Sequence, residues 1–211
     1  MKIFEKRPHG NGHMYVYLFG IKIMSYKPNQ FINGENNVVD IPKNTVFHAC
    51  IIGNNNKITM GDSIFNPHMN IKIGLPGHPC NNCEIRMGKN LNIAGMEFFT
   101  PIQEDGMKIE IGDETMLATG THFLPSDSHA IFDETGHVRN IGKFIKIGKR
   151  VWVGKNVTIC KNTEIADGCI IGTGAVVSGR FTEPNCVIAG NPARVVRHNI
   201  RWDIRQPKEF L

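Results

Sequence analysis

Residues 147–178 read IGKRVW VGKNVT ICKNTE IADGCI IGTGAV VS, and the pattern repeats every six residues. An Ile or Val opens each hexapeptide, a small residue follows it, and a small or β-branched residue stands four positions after the first. An α-helix does not have a period of six, and a strand of a flat sheet alternates with a period of two. The repeat therefore predicts short parallel strands stacked into a solenoid, a parallel β-helix whose opening Ile or Val faces the interior.

The same register extends towards the N-terminus, and a second register precedes it. The first includes Met87, Ile93, Ile111 and Leu117, which precede Ile147 by whole multiples of six. The second keeps the period but is one residue out of phase; its members are Val46, Ile52, Ile58 and Ile64. We place the slip in the turn-rich segment 75–83, and we expect Asn54, Asn55 and Asn56 at exposed corners because Asn tolerates a left-handed backbone.

These patterns divide the chain into three parts. We predict an N-terminal capping segment at 1–37, a β-helix domain at 38–190 and a C-terminal helix and tail at 191–211. Asn191-Pro192 is typical of the N-cap and first position of a helix, and Val195, Val196 and Ile200 are expected to face the core from it. The fold class is therefore all-β, with a short C-terminal helix.

Composition limits the classes of partner. The 211 residues carry a formal net charge of +5, which suits an anionic ligand such as a coenzyme phosphate or an acidic glycan, or simply a soluble surface. Dispersed Lys and Arg residues argue against nucleic acid. With no apolar run of membrane-spanning length and no signal-peptide pattern, we expect a cytoplasmic protein. Peripheral membrane association stays compatible with the sequence.

Cysteines are interpreted as packing residues. Cys160 and Cys169 occupy repeat positions where a small side chain belongs. Cys80 and Cys83 form a single CxxC after His78, without a second pair of ligands at zinc spacing and without a thioredoxin-like context. We therefore expect neither a metal nor a redox function, and packing within the loop is preferred.

One long interruption of the repeat is the candidate active site. The pattern is lost in the segment 123–146, until Ile141-Gly142 resumes it, yet the segment spans four whole periods and can project without disturbing the stack. Long loops inside compact repeats are usually functional. This loop contains the sequence SDSHAIFD, residues 126–133.

Three motifs together resemble one enzyme family. SDSHAIFD at 126–133, VWVG at 151–154 and AGNPA at 189–193 resemble the left-handed β-helix acyltransferases, most of all the bacterial enzymes that O-acetylate capsule, lipopolysaccharide or sialic acid. The resemblance covers residues 45–202. It implies left-handed coils, a homotrimer with active sites between subunits, acetyl-CoA as the donor and a sugar hydroxyl of a surface glycan or its precursor as the acceptor.

The resemblance places the catalytic base at His129. A sugar hydroxyl is a poor nucleophile at neutral pH, and a neutral imidazole can take its proton as the oxygen attacks a thioester. Backbone N–H groups are expected to stabilise the developing oxyanion. His122 and His137 flank the same loop and are either surface or positioning residues.

Further site residues follow from the resemblance. Asp127, Ser128, Asp133 and Trp152 are predicted to contact the acceptor. For Asp127 and Asp133 the alternatives are to orient the imidazole of His129 or to stabilise a turn. An outward Trp152 has no core to fill, which favours a pocket-lining role beside the thioester arm. The residues predicted to hold acetyl-CoA are Trp152, Lys155, Thr173, Ser178, Arg180, Arg194 and Arg197. Ser178-Gly179-Arg180 departs from the Thr-Lys pair that relatives often have, and Arg180 is expected to supply the missing charge.

Other functions remain open from the sequence. A γ-type carbonic anhydrase would bind zinc through histidines on separate coils, whereas His122, His129 and His137 crowd one loop. A non-catalytic scaffold would leave the SDSHAIFD and VWVG motifs without a role. Among acetyltransferases, the alternative acceptors are xenobiotics or small molecules, as in the maltose, galactoside and serine enzymes.

Overall fold

The computed structural model describes residues 4–8, 14–18, 21–26, 30–64 and 67–211. Within them, parallel strands form the three faces of a prism, and three antiparallel strands precede it. From residue 68 to residue 190 the chain visits the three faces in a fixed order, and each strand there pairs with its equivalent one coil away. The predicted parallel β-helix is confirmed.

Short strands build the faces. Face 1 consists of β4 (Gln30–Asn33), β6 (Val46–Ile52), β8 (His68–Ile73), β11 (Met96–Phe98), β14 (His122–Leu124), β17 (Thr158–Cys160) and β20 (Val176–Val177). Face 2 consists of β5 (Val38–Asp40), β7 (Lys57–Met60), β9 (Glu84–Met87), β12 (Lys108–Ile111), β15 (Phe144–Ile147), β18 (Thr163–Ile165) and β21 (Arg180–Phe181). Face 3 consists of β10 (Asn92–Ile93), β13 (Met116–Leu117), β16 (Trp152–Val153), β19 (Ile170–Ile171), β22 (Val187–Gly190) and β23 (Ala193–Arg197). The N-terminal sheet consists of β1 (Phe4–Pro8), β2 (Met14–Leu18) and β3 (Ile21–Tyr26), and a 3-10 helix covers Pro207–Phe210.

The hexapeptide register determines the core. Its opening residues are all buried: Ile147, Val153, Ile159, Ile165, Ile171 and Val177. Ile159 pairs with Phe123 in the coil before it and with Val177 in the coil after it. Each fully buried aliphatic side chain stabilises the fold by about 1.5–3 kcal/mol. The repeat is therefore both the hydrogen-bonding period and the packing period of the prism.

Asparagines occupy several corners. Asn55, Asn82, Asn156, Asn162 and Asn185 all have positive φ angles near 57°. Asn55 accepts a side-chain hydrogen bond from Asn36 at 3.2 Å and donates one to Asn82 at 3.3 Å, so corners of successive coils are linked.

The prediction of an exposed corner is wrong for Asn56, which is fully buried. Its Nδ2 donates to the carbonyl of Cys80 at 2.9 Å, and its Oδ1 accepts from the backbone N–H of Cys83 at 2.9 Å. These two bonds satisfy a polar group that would otherwise be costly to bury. Asn56 therefore closes the turn from inside, and the two buried cysteines pack against it.

The second register is only half correct. Ile58 faces inwards and Ile52 is buried, but Val46 and Ile64 are 40% and 54% exposed. The strands β6 and β8 have seven and six residues, so inward side chains alternate along them and one interior residue per hexapeptide no longer describes the coil. Phe47 and Ile51 take the interior positions of β6.

The predicted helix beginning at Asn191 is also wrong. Residues 193–197 form β23, which pairs antiparallel with β22 and matches Ile188 with Val195. Two adjacent β-branched residues favour this strand over a helix. Val195 is half-buried, whereas Val196 is 55% exposed. The only helical segment described after Asn191 is the 3-10 helix at Pro207–Phe210.

The solenoid begins before the predicted boundary at residue 38, and its last parallel strand ends at Gly190. Parallel pairing begins at β4, and the last parallel strand is β22. The capping role predicted for segment 1–37 falls partly on residues 1–3, 9–13, 19–20 and 27–29, outside the described residues. In the part of the chain described, no helix combines the length and apolarity needed to cross a membrane.

Candidate active site

The interrupting loop leaves the prism at the edge between faces 1 and 2. It connects β14 with β15, while Phe123 pairs with Ile159 and Ile147 pairs with Ile165. In the next coil one hexapeptide covers the same interval, so the loop is an insertion into an unbroken stack. Ile141 does not resume the repeat as predicted, because it is 50% exposed and the interior position belongs to Ile145.

The tip of this loop presents His129 to solvent, and Asn140 fixes the backbone around it. Asn140 Nδ2 donates to the carbonyl oxygen of His129 at 2.8 Å and to Asp127 Oδ2 at 2.8 Å. Asn140 Oδ1 accepts from the N–H of Ile131 at 2.8 Å. One side chain thus holds positions 127, 129 and 131, while the exposed imidazole of His129 has no hydrogen-bond partner among the described residues.

Asp127 anchors the base of the loop to the prism. Its carboxylate forms an ion pair with Lys161, a corner residue of the next coil that is 13% exposed. Hydrogen bonds from Lys161 and then from Asn140 lower the pKa of Asp127 below its usual range. Asp127 Oδ2 is therefore engaged by these two partners rather than by the imidazole of His129, and anchoring the loop to the next coil is a role that the sequence did not predict.

A second anchor joins the loop to the coil beneath it. The buried Ser126 donates from Oγ to Glu104 Oε1 at 2.9 Å, and its carbonyl accepts from Thr100 Oγ1 at 2.7 Å. Ser128, with a φ of 64°, accepts a hydrogen bond from Gln103 Nε2 at 2.8 Å. The N–H of Ser128 also donates to Ser126 Oγ at 3.2 Å, so the residue before His129 is held through both its side chain and its backbone.

Asp133 stabilises the turn at the far end of the loop. Its Oδ1 accepts from the N–H and the hydroxyl of Thr135 at 2.9 and 2.7 Å, and from the N–H of His137 at 3.0 Å. The Thr135 hydroxyl and these backbone groups lower the pKa of Asp133. The carboxylate is occupied within the turn, as the turn-stabilising alternative expects.

Trp152 lies on face 3, opposite the edge that carries His129. It is 38% exposed and faces outwards, as predicted. The indole of Trp202, from the C-terminal tail, lies 6.0 Å away between ring centroids and donates from Nε1 to the carbonyl of Arg150 at 2.7 Å. The two indoles line a groove of about 520 Å³ with Arg150, Arg201 and Arg205.

The predicted coenzyme residues divide between two regions. Lys155 and Thr173 lie exposed at the edge between faces 3 and 1, where the N–H of Gly174 donates to the carbonyl of Lys155 at 2.9 Å. Arg194 and Arg197 are exposed on β23 of face 3. Ser178 and Arg180 instead lie at the loop edge, and Arg180 stacks 5.4 Å above the ring of Phe144, with Nε 3.8 Å from Glu164.

A single chain therefore holds two separate sets of candidate residues. The loop set consists of Asp127, Ser128, His129, Asp133, Ser178 and Arg180. The groove set consists of Trp152, Lys155, Thr173, Arg194 and Arg197. Because a triangular prism places the face 1/face 2 edge opposite face 3, His129 and Trp152 of one chain do not line one pocket.

Comparison with known proteins identifies the class of enzyme. The bacterial transferase hexapeptide model, with its six repeats, matches residues 144–179. The polysialic acid O-acetyltransferase OatWY is 27% identical over 83% of this chain and 93% of its own, with a TM-score of 0.52. The polySia-specific acetyltransferase NeuO is 25% identical over 83% of this chain and 88% of its own, with a TM-score of 0.51.

Residues 144–179 carry the transferase hexapeptide repeat, and together with these two neighbours they support an acyltransferase. The predicted fold class, a left-handed parallel β-helix, is confirmed with it, and so is the assignment as an enzyme. Comparison with the sequences of curated proteins gives no match.

In this acyltransferase the flanking histidines do not converge with His129 on one metal position. His122 belongs to β14 and stacks on the ring of Phe99 at 3.8 Å, while His137 Nδ1 contacts the hydroxyl of Thr135 at 2.7 Å within the turn. The carbonic anhydrase alternative needs imidazoles gathered around zinc, and this arrangement argues against it.

Three contributors to the candidate site were missed from the sequence: Lys161, Trp202 and the anchoring role of Asn140. Lys161 stands at a corner position of the repeat, where any exposed residue is accepted, so its pairing with Asp127 leaves no signal. Trp202 offered a usable signal, because a Trp side chain buries a large apolar area and its N–H usually finds a hydrogen-bond partner.

Proposed function

We propose that the acyltransferase transfers an acetyl group from acetyl-CoA to a hydroxyl of a bacterial surface glycan, in capsule, lipopolysaccharide or sialic acid polymer, or of its activated precursor. The likeness to two polysialic acid acetyltransferases over most of the chain supports this acceptor class. The observation that carries the proposal is the fixed position of His129 at the tip of a loop anchored by Asn140 and Asp127.

In the proposed reaction His129 is the general base. A neutral ring nitrogen takes the proton of the sugar hydroxyl as the oxygen forms its bond to the thioester carbonyl. Bound acetyl-CoA supplies the activated acetyl group. Backbone N–H groups stabilise the developing negative charge on the carbonyl oxygen, and the imidazolium returns its proton to the departing thiolate when the carbon–sulfur bond breaks.

The proposed enzyme is a homotrimer whose sites lie between subunits. The loop set and the groove set occupy different sides of one prism, so a complete site needs His129 from one subunit and Trp152 from its neighbour. The exposed arginines Arg194 and Arg197 on β23 are proposed to bind the phosphates of the coenzyme, since charge-assisted hydrogen bonds from Arg suit phosphate oxygens.

A panel of acceptors tests the function. Sialic acid polymers, other capsule fragments, activated sugars, maltose, galactosides and serine are incubated with acetyl-CoA, and free CoA is measured. We expect turnover with an anionic glycan or its precursor and an O-acetyl ester in the product. If only small neutral acceptors are acetylated, the proposed glycan acceptor is wrong and the small-molecule class takes its place.

Subunit complementation tests the shared site. His129→Ala and Trp152→Ala chains are unfolded together, refolded as mixed oligomers and assayed, because mixing restores some sites that have both native residues. Activity should exceed that of either variant alone. As the matched control, His129→Ala mixed with Asn140→Ala should not exceed the activity of the Asn140→Ala variant alone, since both residues belong to the same loop. Absence of recovery in the first mixture would place the whole site within one chain.

A further inference from the structure

Three metal-binding side chains meet at the C-terminal end of the prism, at the edge between faces 2 and 3. Glu183 and Cys186 lie between β21 and β22, and His198 directly follows β23. One ligand atom from each, the carboxylate oxygen, Sγ and a ring nitrogen, all lie within 4.8 Å of one another. The proposed acyl transfer uses none of them.

The cluster combines a buried thiol with two accessible partners. Cys186 is 0% exposed, whereas the side chains of Glu183 and His198 are 50% and 59% exposed. His198 Nδ1 lies 2.8 Å from Glu183 Oε1, within hydrogen-bonding distance, so these two side chains already meet. Solvent can therefore reach the open side of the cluster, while the thiol closes its inner side.

We propose that Glu183, Cys186 and His198 form a binding site for Zn²⁺ or a similar borderline transition metal, with water as the fourth ligand. Thiolate, imidazole and carboxylate are the three ligand types that zinc takes, at about 2.3, 2.0–2.1 and 2.0–2.2 Å. Donors within 4.8 Å of one another reach these distances with small side-chain movements. A thiolate ligand disfavours Mg²⁺ and Ca²⁺, which require oxygen donors.

Metal binding at this site has a structural consequence. It joins the turn before β22 to the segment after β23, and so closes the hairpin of the two strands. Cys169 Sγ also contacts the carbonyl of Glu183 at 3.4 Å, which ties the turn to the coil beneath. A metal that binds only the folded chain raises its stability in proportion to occupancy, and it fixes the strand that carries Arg194 and Arg197.

Zinc titration of the full chain tests the proposal. Protein treated with a chelator and exchanged into metal-free buffer competes for Zn²⁺ with a chromophoric indicator, and Co²⁺ serves as a spectroscopic substitute. We expect one equivalent per chain, no displacement by excess Mg²⁺, and a thiolate-to-cobalt charge-transfer band. Affinity should fall as the pH is lowered, because the metal competes with protons for the thiol and the imidazole.

Two variants locate the site. Cys186→Ser and His198→Ala should each weaken zinc binding by at least about tenfold, the smallest loss reported for groups that merely support a ligand, and Cys186→Ser should abolish the charge-transfer band. His198 is exposed, so His198→Ala should fold even where Cys186→Ser does not. Zinc affinity that stays unchanged in His198→Ala, or an absence of zinc binding by the native chain, would overturn the proposal.

Two controls separate this site from its alternatives. Cys83→Ser disrupts a close thiol pair outside the proposed site, in which the Sγ atoms of Cys80 and Cys83 are 3.3 Å apart. His137→Ala removes an imidazole that also lies near a carboxylate, 3.9 Å from Asp133 Oδ1, but without a thiol. Both controls should bind zinc as the native chain does. Loss of binding in Cys83→Ser instead would assign the metal to the CxxC segment. None of these measurements depends on acyl transfer.

Discussion

The regular coils at 144–190 and the loop between β14 and β15 are stabilised in different ways. The coils bury an aliphatic residue in nearly every hexapeptide and pair their backbones continuously. The loop exposes Ile131 and Phe132 by 57% and 60% and depends on hydrogen bonds from Asn140 and the ion pair of Asp127 with Lys161. Substitutions in the coils should therefore act on folding, and substitutions in the loop on chemistry.

The largest effect is expected from removing the proposed base. His129→Ala should lower kcat by about two to four orders of magnitude, because general base catalysis contributes about that much. Its thermal unfolding and its affinity for acetyl-CoA should match those of the native chain, since the exposed imidazole has no partner among the described residues. Steady-state kinetics, calorimetry and coenzyme titration measure the three quantities.

The histidine beside it provides the control. His137→Ala removes an exposed imidazole from the same loop and should retain most of the activity. Near-native turnover in His129→Ala, with coenzyme binding intact, would contradict the assignment and direct attention to His122.

The coils should give the opposite result. Ile159→Ala creates a cavity at a fully buried position, and such changes cost about 2–5 kcal/mol of stability. The variant should unfold at lower denaturant concentration while its remaining folded fraction keeps the native KM. Chemical denaturation followed by circular dichroism gives the free energy of unfolding. A loss below about 1 kcal/mol would mean that the prism relaxes around the cavity.

Asn140 connects the two regions and should show an intermediate effect on turnover. Asn140→Ala removes three hydrogen bonds that fix the backbone around His129, and displacing a catalytic group by about 1 Å can lower the rate about a hundredfold. We expect kcat to fall by about 10- to 100-fold with an unchanged KM for acetyl-CoA. A fall in stability without this split in kinetics would indicate a purely structural role.

The contrast between the regular coils and the loop also explains which features could be predicted from the sequence. The period of six is a local property, so it located the interior residues from Ile147 to Val177 and the outward position of Trp152. It failed at Val46, where longer strands replace the hexapeptide, and at Asn191, where pairing of β23 with β22 decides against a helix. The interaction of Asp127 with Lys161 joins two coils, and no local pattern encodes it.

The six-residue register of the sequence was sufficient to predict that the coenzyme residues fall into two sets. Ile159 pairs with Val177, three hexapeptides later, so residues separated by that interval lie on one edge. Lys155 and Thr173 satisfy this relation, whereas Ser178 falls one face further along the chain. Assigning each candidate to its edge would have predicted the two sets that the structure shows.

A smaller effect is expected for the coenzyme residues. Arg197→Ala should raise the KM for acetyl-CoA by about tenfold or more with less change in kcat, since a charge-assisted hydrogen bond contributes about 1.5–3 kcal/mol. Arg139→Ala is the matched control, because this arginine is exposed on the loop near Asp133. Unchanged kinetics in both Arg194→Ala and Arg197→Ala would show that the phosphates bind elsewhere.

The smallest effect is expected for Asp127→Asn, whose pH dependence of kcat distinguishes the anchoring Asp127 from the proposed base His129. The pKa of Asp127 is lowered by Lys161 and Asn140, so its stabilisation is complete above the ordinary carboxyl pKa of about 3.9 and is lost only as the pH falls below that value. A histidine base instead loses activity once its ring nitrogen is protonated, because a protonated ring cannot accept the proton of the hydroxyl. Between pH 8 and 5, the relative fall in kcat should therefore be the same in the native chain and in Asp127→Asn, whose amide has no charge to lose. If kcat falls more steeply in the native chain than in Asp127→Asn over this range, the titrating group is Asp127. The pH dependence would then no longer support His129 as the base.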